Sequence, residues 1–273
     1  MINEELKKSV GATIKTLDKA RKATGALTKA RDPGLSEALP LIEKTIHALR
    51  AVCLDDLLRD LDQQREELNQ LADQALARRR EELLHAAKGA GWRVRRLQDY
   101  DHIDCFRVNY KQARVTLKLG SETWDTFDES DGQKVFVRIQ DARWELDGSP
   151  FDRDAFFKAV KDAIRLAKVQ GLDRDGKVAI RKLYPLLVLV RQSHDKAFMK
   201  RPNTRSFSEY SICQFIYDLA RFGKEGWSVK GGERLVSRAP NMGTIAKGEA
   251  LTLPVLGDEG QGTQLAALWI DKL

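Results

Sequence analysis

Lys196, Lys200, Arg201 and Arg205 crowd into one short stretch, and Lys230, Arg234 and Arg238 recur at every fourth position further on. Cations at that density do the chemistry of phosphate binding: they neutralise a polyanion's backbone and release its counterions, with no bond made or broken. The crowding is regional. Residues 177–247 carry fourteen Lys or Arg against five Asp or Glu, in a chain of 273 residues whose net charge is only +7. A local excess focuses potential where an even spread would not.

Groups that could carry a reaction are sparse. No Gly-rich loop ends in Gly-Lys-Ser/Thr, and no Gly-x-Ser-x-Gly elbow occurs. The four histidines, His47, His85, His102 and His194, lack metal-ligand spacing, so neither a metal nor another cofactor is expected. Asp173-Arg174-Asp175-Gly176-Lys177 matches the short acid-x-Lys pattern of metal-dependent nucleases, but in what reads as a polar, glycine-bounded linker. His102 between Asp101 and Asp104 is the best isolated acid-base group. The acidic run Asp125, Asp128, Glu129, Asp131 lacks the spacing of a calcium loop and reads as a solvated hairpin tip. A non-enzymatic protein is the leading expectation, and a nuclease the least favoured alternative.

Three kinds of element must position the cations. First comes a helical arm, 1–88. Leu6, Val10, Thr13, Leu17, Ala20, Thr24 and Leu27 share one helical face, and Asp32-Pro33-Gly34 breaks the pattern. From Leu41 to Lys88 no Gly or Pro occurs, and Leu54, Leu61, Leu68 and Ala75 recur at sevens, as in a coiled-coil seam. Leu54, Leu57, Leu61, Leu68 and Leu71 are the candidate contacts to a partner protein. Arg78-Arg79-Arg80 before Glu81-Glu82 reads as a solvated, self-neutralising face.

Residues 89–170 read as a small α+β unit. Trp92-Val94, Ile103 to Tyr110, Val115 to Leu119 and Val135-Val137-Ile139 alternate as strands do. A helix capped at Ser149-Pro150 and carrying Phe156, Val160, Ile164 and Ala167 should cover the sheet. The basic remainder, 171–273, holds a buried apolar segment from Val178 to Val190. Ser206-Phe207-Ser208-Glu209 then matches a capping box, before a helix bearing Ile212, Phe215, Ile216 and Leu219. Trp227-Val229 and Arg234-Val236 flank a Gly231-Gly232 turn, a hairpin signal.

Helices followed by a basic hairpin resemble a winged helix-turn-helix, which implies a helix in the DNA major groove and a hairpin tip on adjacent phosphates. The whole, α+β with an arm, a connector and a winged end, is similar in outline to accessory subunits of chromosome-maintenance-type ATPase complexes, including bacterial ones that act against plasmids or phage. The expected partners are duplex DNA, held by the basic winged end, and another protein subunit, met by the arm, in an oligomer or hetero-complex. A protein-only adaptor with a docking module is the alternative. Cys53, Cys105 and Cys213 lie apart among apolar neighbours, and no apolar run is long enough to cross a bilayer. Buried thiols in a cytoplasmic protein without membrane contact are expected.

Overall fold

A computed structural model describes residues 55–111, 114–148, 150–201, 207, 209–229, 231–256 and 262–272, together with scattered helical positions between 15 and 47. Helices and antiparallel strands alternate within it, in keeping with an α+β class. The chain divides into two compact units. One gathers Met1–Ala86 with Tyr110–Val115 and Phe127–Val135, and the other Ala87–Asn109, Thr116–Thr126 and Phe136–Leu273.

In the first unit the long helix α1 (Asp55–Gly89) presents Leu83 and Leu84 to the core. Its basic triplet is divided by environment. Arg78 pairs with Glu82 at 2.8 Å in solvent, whereas Arg79 is buried, donates from Nη1 to the Glu129 carbonyl at 2.6 Å and lies over the Tyr110 ring. The expectation of a solvated triplet is therefore corrected at Arg79, where a backbone carbonyl and an aromatic face replace water. Gly132 meets α1 closely: a Cβ there would lie 2.4 Å from the Arg79 carbonyl oxygen and 2.7 Å from Leu83 N.

The second unit holds most of a five-stranded meander, β1 (Val94–Arg96), β2 (Tyr100–Ile103), β3 (Phe106–Lys111), β4 (Arg114–Leu119) and β5 (Glu122–Asp128), in sequence order. Alternation sends Ile103, Phe106, Val108, Leu117 and Leu119 to the core. Helix α2 (Gly132–Asp147) follows, and two expectations fail there. Val135 to Ile139 is helix rather than strand, and Asp128 to Gly132 is the end of β5 and the entry to α2 rather than a hairpin tip. Asp131 Oδ1 accepts from Gln133 N at 2.8 Å, which uses that carboxylate as a helix-start acceptor.

Helix α3 (Arg153–Val169) buries Phe156, Val160, Ile164 and Ala167 as its spacing predicts. Its cap is Asp152, which accepts from Ala155 N at 2.9 Å; Ser149 of the expected cap lies outside the described residues, and Pro150 precedes the helix. The helix does not cover the meander. It packs on α4 (Ile180–His194) and on strands of a second sheet, while α2 meets the meander through Phe136 against Trp92 and Arg138 beside Asp125.

That second sheet has the order β6 (Asp173–Arg174), β7 (Lys177–Ala179), β11 (Ala267–Lys272), β8 (Glu233–Arg238), all antiparallel. The polar segment expected as a linker is thus the β6–β7 hairpin, turning through Asp175 and Gly176 at positive φ. The apolar run from Val178 divides between β7 and α4. Short helices α5 (Lys196–Lys200) and α7 (Met242–Ala246) and the two-stranded β9 (Leu251–Thr252) with β10 (Gln264–Leu265) complete the unit around α6 (Ile212–Lys224). The cap of α6 is Ser211, whose Oγ accepts from Gln214 N at 3.1 Å. The expected capping box lies upstream of this start: Ser206 and Ser208 are outside the described residues, and Glu209 precedes the helix. Among the described residues no helix is long and apolar enough to cross a membrane.

Candidate nucleic-acid interface

The four-stranded sheet has two unlike faces. Val178, Leu268 and Leu235 are buried on one, where Lys161 of α3 also donates to Glu233 Oε1 at 2.6 Å. Side chains alternate, so the neighbouring positions point the other way. Register sets Arg174 opposite Lys177 and Trp269 opposite Val236, and the Lys177 ammonium lies 5.1 Å from the centre of the Trp269 ring. Arg234 and Arg238 flank Val236 on β8. Trp269 thereby shares its face of the sheet with four cations, of which Lys177 lies over its ring. The one carboxylate that register adds to this face is Asp271, opposite Arg234 and 3.2 Å from it.

The turn leading into β8 is held from α3. Arg153 Nη2 donates to the carbonyls of Gly226 at 2.5 Å and Ser228 at 2.8 Å, Nη1 reaches Glu225 at 3.1 Å, and the guanidinium lies 4.5 Å from the Phe222 ring centre. The expected hairpin is present in part, with β8 as its second strand and a single bridge, Ser228 to Arg234, in place of its first. Leu235 N donates to the Trp227 carbonyl at 2.8 Å and Val229 N to that of Glu233 at 3.0 Å, with Gly231 and Gly232 both at positive φ.

The structure brings together Arg234 and Arg238 of the expected site and adds Arg174, Lys177 and Trp269. Exposed Lys196, Lys200 and Arg201 lie on and just after α5, which packs on α4, and not on this face. Arg205 and Lys230 fall outside the described residues. Helix α6 does not suit a groove-reading role, because eight of its residues from Cys213 to Phe222 are buried. On the arm, Leu71 is 52% exposed and Leu68 half-buried, while Leu54 and the side chains of Leu57 and Leu61 lie outside the described residues. Local sequence pointed to Arg174 and Lys177 only through the nuclease-like match. Nothing near Trp269 signalled this setting, since its neighbours come from β7 and β8.

Other reactive groups are engaged structurally. Asp173 Oδ2 accepts from Gly176 N at 3.1 Å within the β6–β7 turn, and no cluster of metal ligands occurs among the described residues. Asp104, at positive φ, receives Arg93 at 3.2 Å and Arg143 at 2.8 Å; Arg143 also pairs with Asp147, which accepts from the Tyr217 hydroxyl at 2.8 Å. Burial would raise the Asp147 pKa, but the bonds from Arg143 and Tyr217 outweigh it and hold that carboxyl below its ordinary range. Cys105 and Cys213 are free, buried thiols, and burial pushes Cys213 up to about 12.

A cleft of about 1090 Å³ runs past Trp124, Asp152, Arg191, Glu209 and Asp218. Its buried floor is a closed hydrogen-bond set: Asp218 accepts from the Tyr210 hydroxyl at 2.8 Å and from Gln214 Nε2 at 2.9 Å, and Arg191 lies 4.0 Å from the Tyr210 ring centre. Burial raises the pKa of Asp218 in spite of these bonds. Comparison with protein-family models, curated proteins and solved structures finds no match to this chain.

Proposed function

We propose that this chain is a non-catalytic subunit that holds duplex DNA by its phosphate backbone through the open face of the four-stranded sheet and meets a partner protein through α1. The observation that carries the reading is the shared face of Arg174, Lys177, Arg234, Arg238 and Trp269, with Asp271 as the one opposing carboxylate that register puts there. Four cations on a flat face match a row of phosphates and read no base edge, so binding should be indifferent to sequence and steeply dependent on salt. Lys196, Lys200 and Arg201 are further backbone contacts in this reading, and exposed Leu71 belongs to the partner surface.

The test is retention of a duplex oligonucleotide across a salt series by the wild-type chain and by the triple variant Arg174→Gln, Arg234→Gln, Arg238→Gln. The variant should weaken at low salt, and its slope of log K against log salt should flatten by about 2 to 3. Equal affinity and slope in both proteins would reject the face. Binding of a protein without salt dependence, at the Trp269–Val236 centre, would favour the adaptor reading instead.

A further inference from the structure

The five-stranded meander carries a second, independent basic feature. Register sets Arg95 of β1 opposite His102 of β2, and His102 opposite Arg107 of β3. Directly opposed residues of antiparallel strands share a face, so these three form one row, with the outer two about 10 Å apart at ordinary strand spacing. Lys118 of β4 lies on the same face, since its neighbours Leu117 and Leu119 are buried on the other.

Arg95 and Arg107 thus stand on either side of the His102 imidazole, and no carboxylate is interleaved in the row. Two of the nearby acids are turned away or engaged. Asp101 is fully buried on the opposite face, and Asp104 receives Arg93 and Arg143. Among the described residues Arg95, Arg107 and Lys118 form no ion pair, and the buried Nε of Arg107 has no hydrogen-bond acceptor. The Arg107 guanidinium instead lies 3.8 Å from the centre of the Tyr100 ring. Arg95 is exposed, while His102 and Arg107 are half-buried.

We propose that the row Arg95, His102 and Arg107 binds the phosphates of a single-stranded nucleic acid laid across β1 to β3, with the Arg107–Tyr100 pair as a stacking surface for an unpaired base. Charge complementarity selects a polyanion. A half-exposed guanidinium on an aromatic ring selects one whose bases are free to stack, which a duplex does not offer.

Protonation of His102 should couple to binding. In the free protein burial, then Arg107 and Arg95, then Arg93 hold its pKa below the ordinary value, against a hydrogen bond to the Asp104 backbone; the Tyr100 ring stands edge-on at 6.0 Å. A phosphate beside the imidazole favours the charged form and raises that pKa. The complex therefore takes up a proton, and affinity rises as pH falls through the bound-state pKa.

The test uses the full chain carrying Arg174→Gln, Arg234→Gln and Arg238→Gln, so that loss of the C-terminal face cannot mask the result. The His102 ring signal, assigned with His102→Gln, is titrated by NMR with and without a twenty-residue oligo-deoxythymidylate. The oligonucleotide should raise the His102 pKa, fluorescence anisotropy should show tighter binding at pH 6 than at pH 8, and Arg95→Gln with Arg107→Gln should weaken binding about tenfold. An unmoved His102 pKa overturns the proposal whatever the variants do. An equal shift with a duplex of the same length overturns its single-strand specificity.

Discussion

Tyr210, Asp218 and Gln214 show how a single buried acid is kept in this fold. The Asp218 side chain is nearly inaccessible, so its oxygens depend on the Tyr210 hydroxyl and the Gln214 amide rather than on water. Tyr210→Phe removes one donor and leaves Oδ2 desolvated without it. We expect a loss of about 1 to 3 kcal/mol in unfolding free energy, read from the denaturant midpoint. Asp218→Asn alongside should reduce that loss, because the acceptor left behind is then uncharged; an undiminished loss would contradict the account.

Among elements, α2 carries the clearest lesson about what a sequence can disclose. Val135, Val137 and Ile139 alternate as a strand would, yet Val137 is 52% exposed while Phe136 is buried. Buried positions 135, 136, 139, 142 and 146 follow the helical repeat, a signal visible only when the window extends to Leu146. Elements longer than a window, such as α1, and those with strong amphipathy, such as α3, were legible from spacing. The Trp269 face was not, because its register joins strands far apart in the chain and depends on a pairing that no local pattern encodes. Arg234 and Arg238 were legible because both lie on one strand beside a Gly-Gly turn. The close approach of Gly132 to α1 belongs at this scale too. Gly132→Ala drives a Cβ into the backbone at Arg79 and Leu83, so the two helices must separate slightly. The expected cost is about 1 to 3 kcal/mol in thermal or chemical unfolding, and a melting temperature equal to the wild type's would show that the contact yields freely.

For the molecule as a whole, stability in acid should report the Arg143 network. The carboxyl of Asp147 titrates below its ordinary range in the native state, so its stabilising contribution is present above the unfolded pKa and is lost as pH falls through the native value. Thermal melts of the wild type and Asp147→Asn should therefore differ near pH 6 and converge near pH 2. A gap that stays constant across that range would mean the network adds nothing pH-dependent. The order of strands in the second sheet has a further consequence. β11 bonds to both β7 and β8 but follows both in the chain, so a nascent polypeptide holds two bare strand edges until residues 267–272 emerge from the ribosome. During that interval the protein is most open to pairing with another copy of itself, and chaperone protection would matter most then.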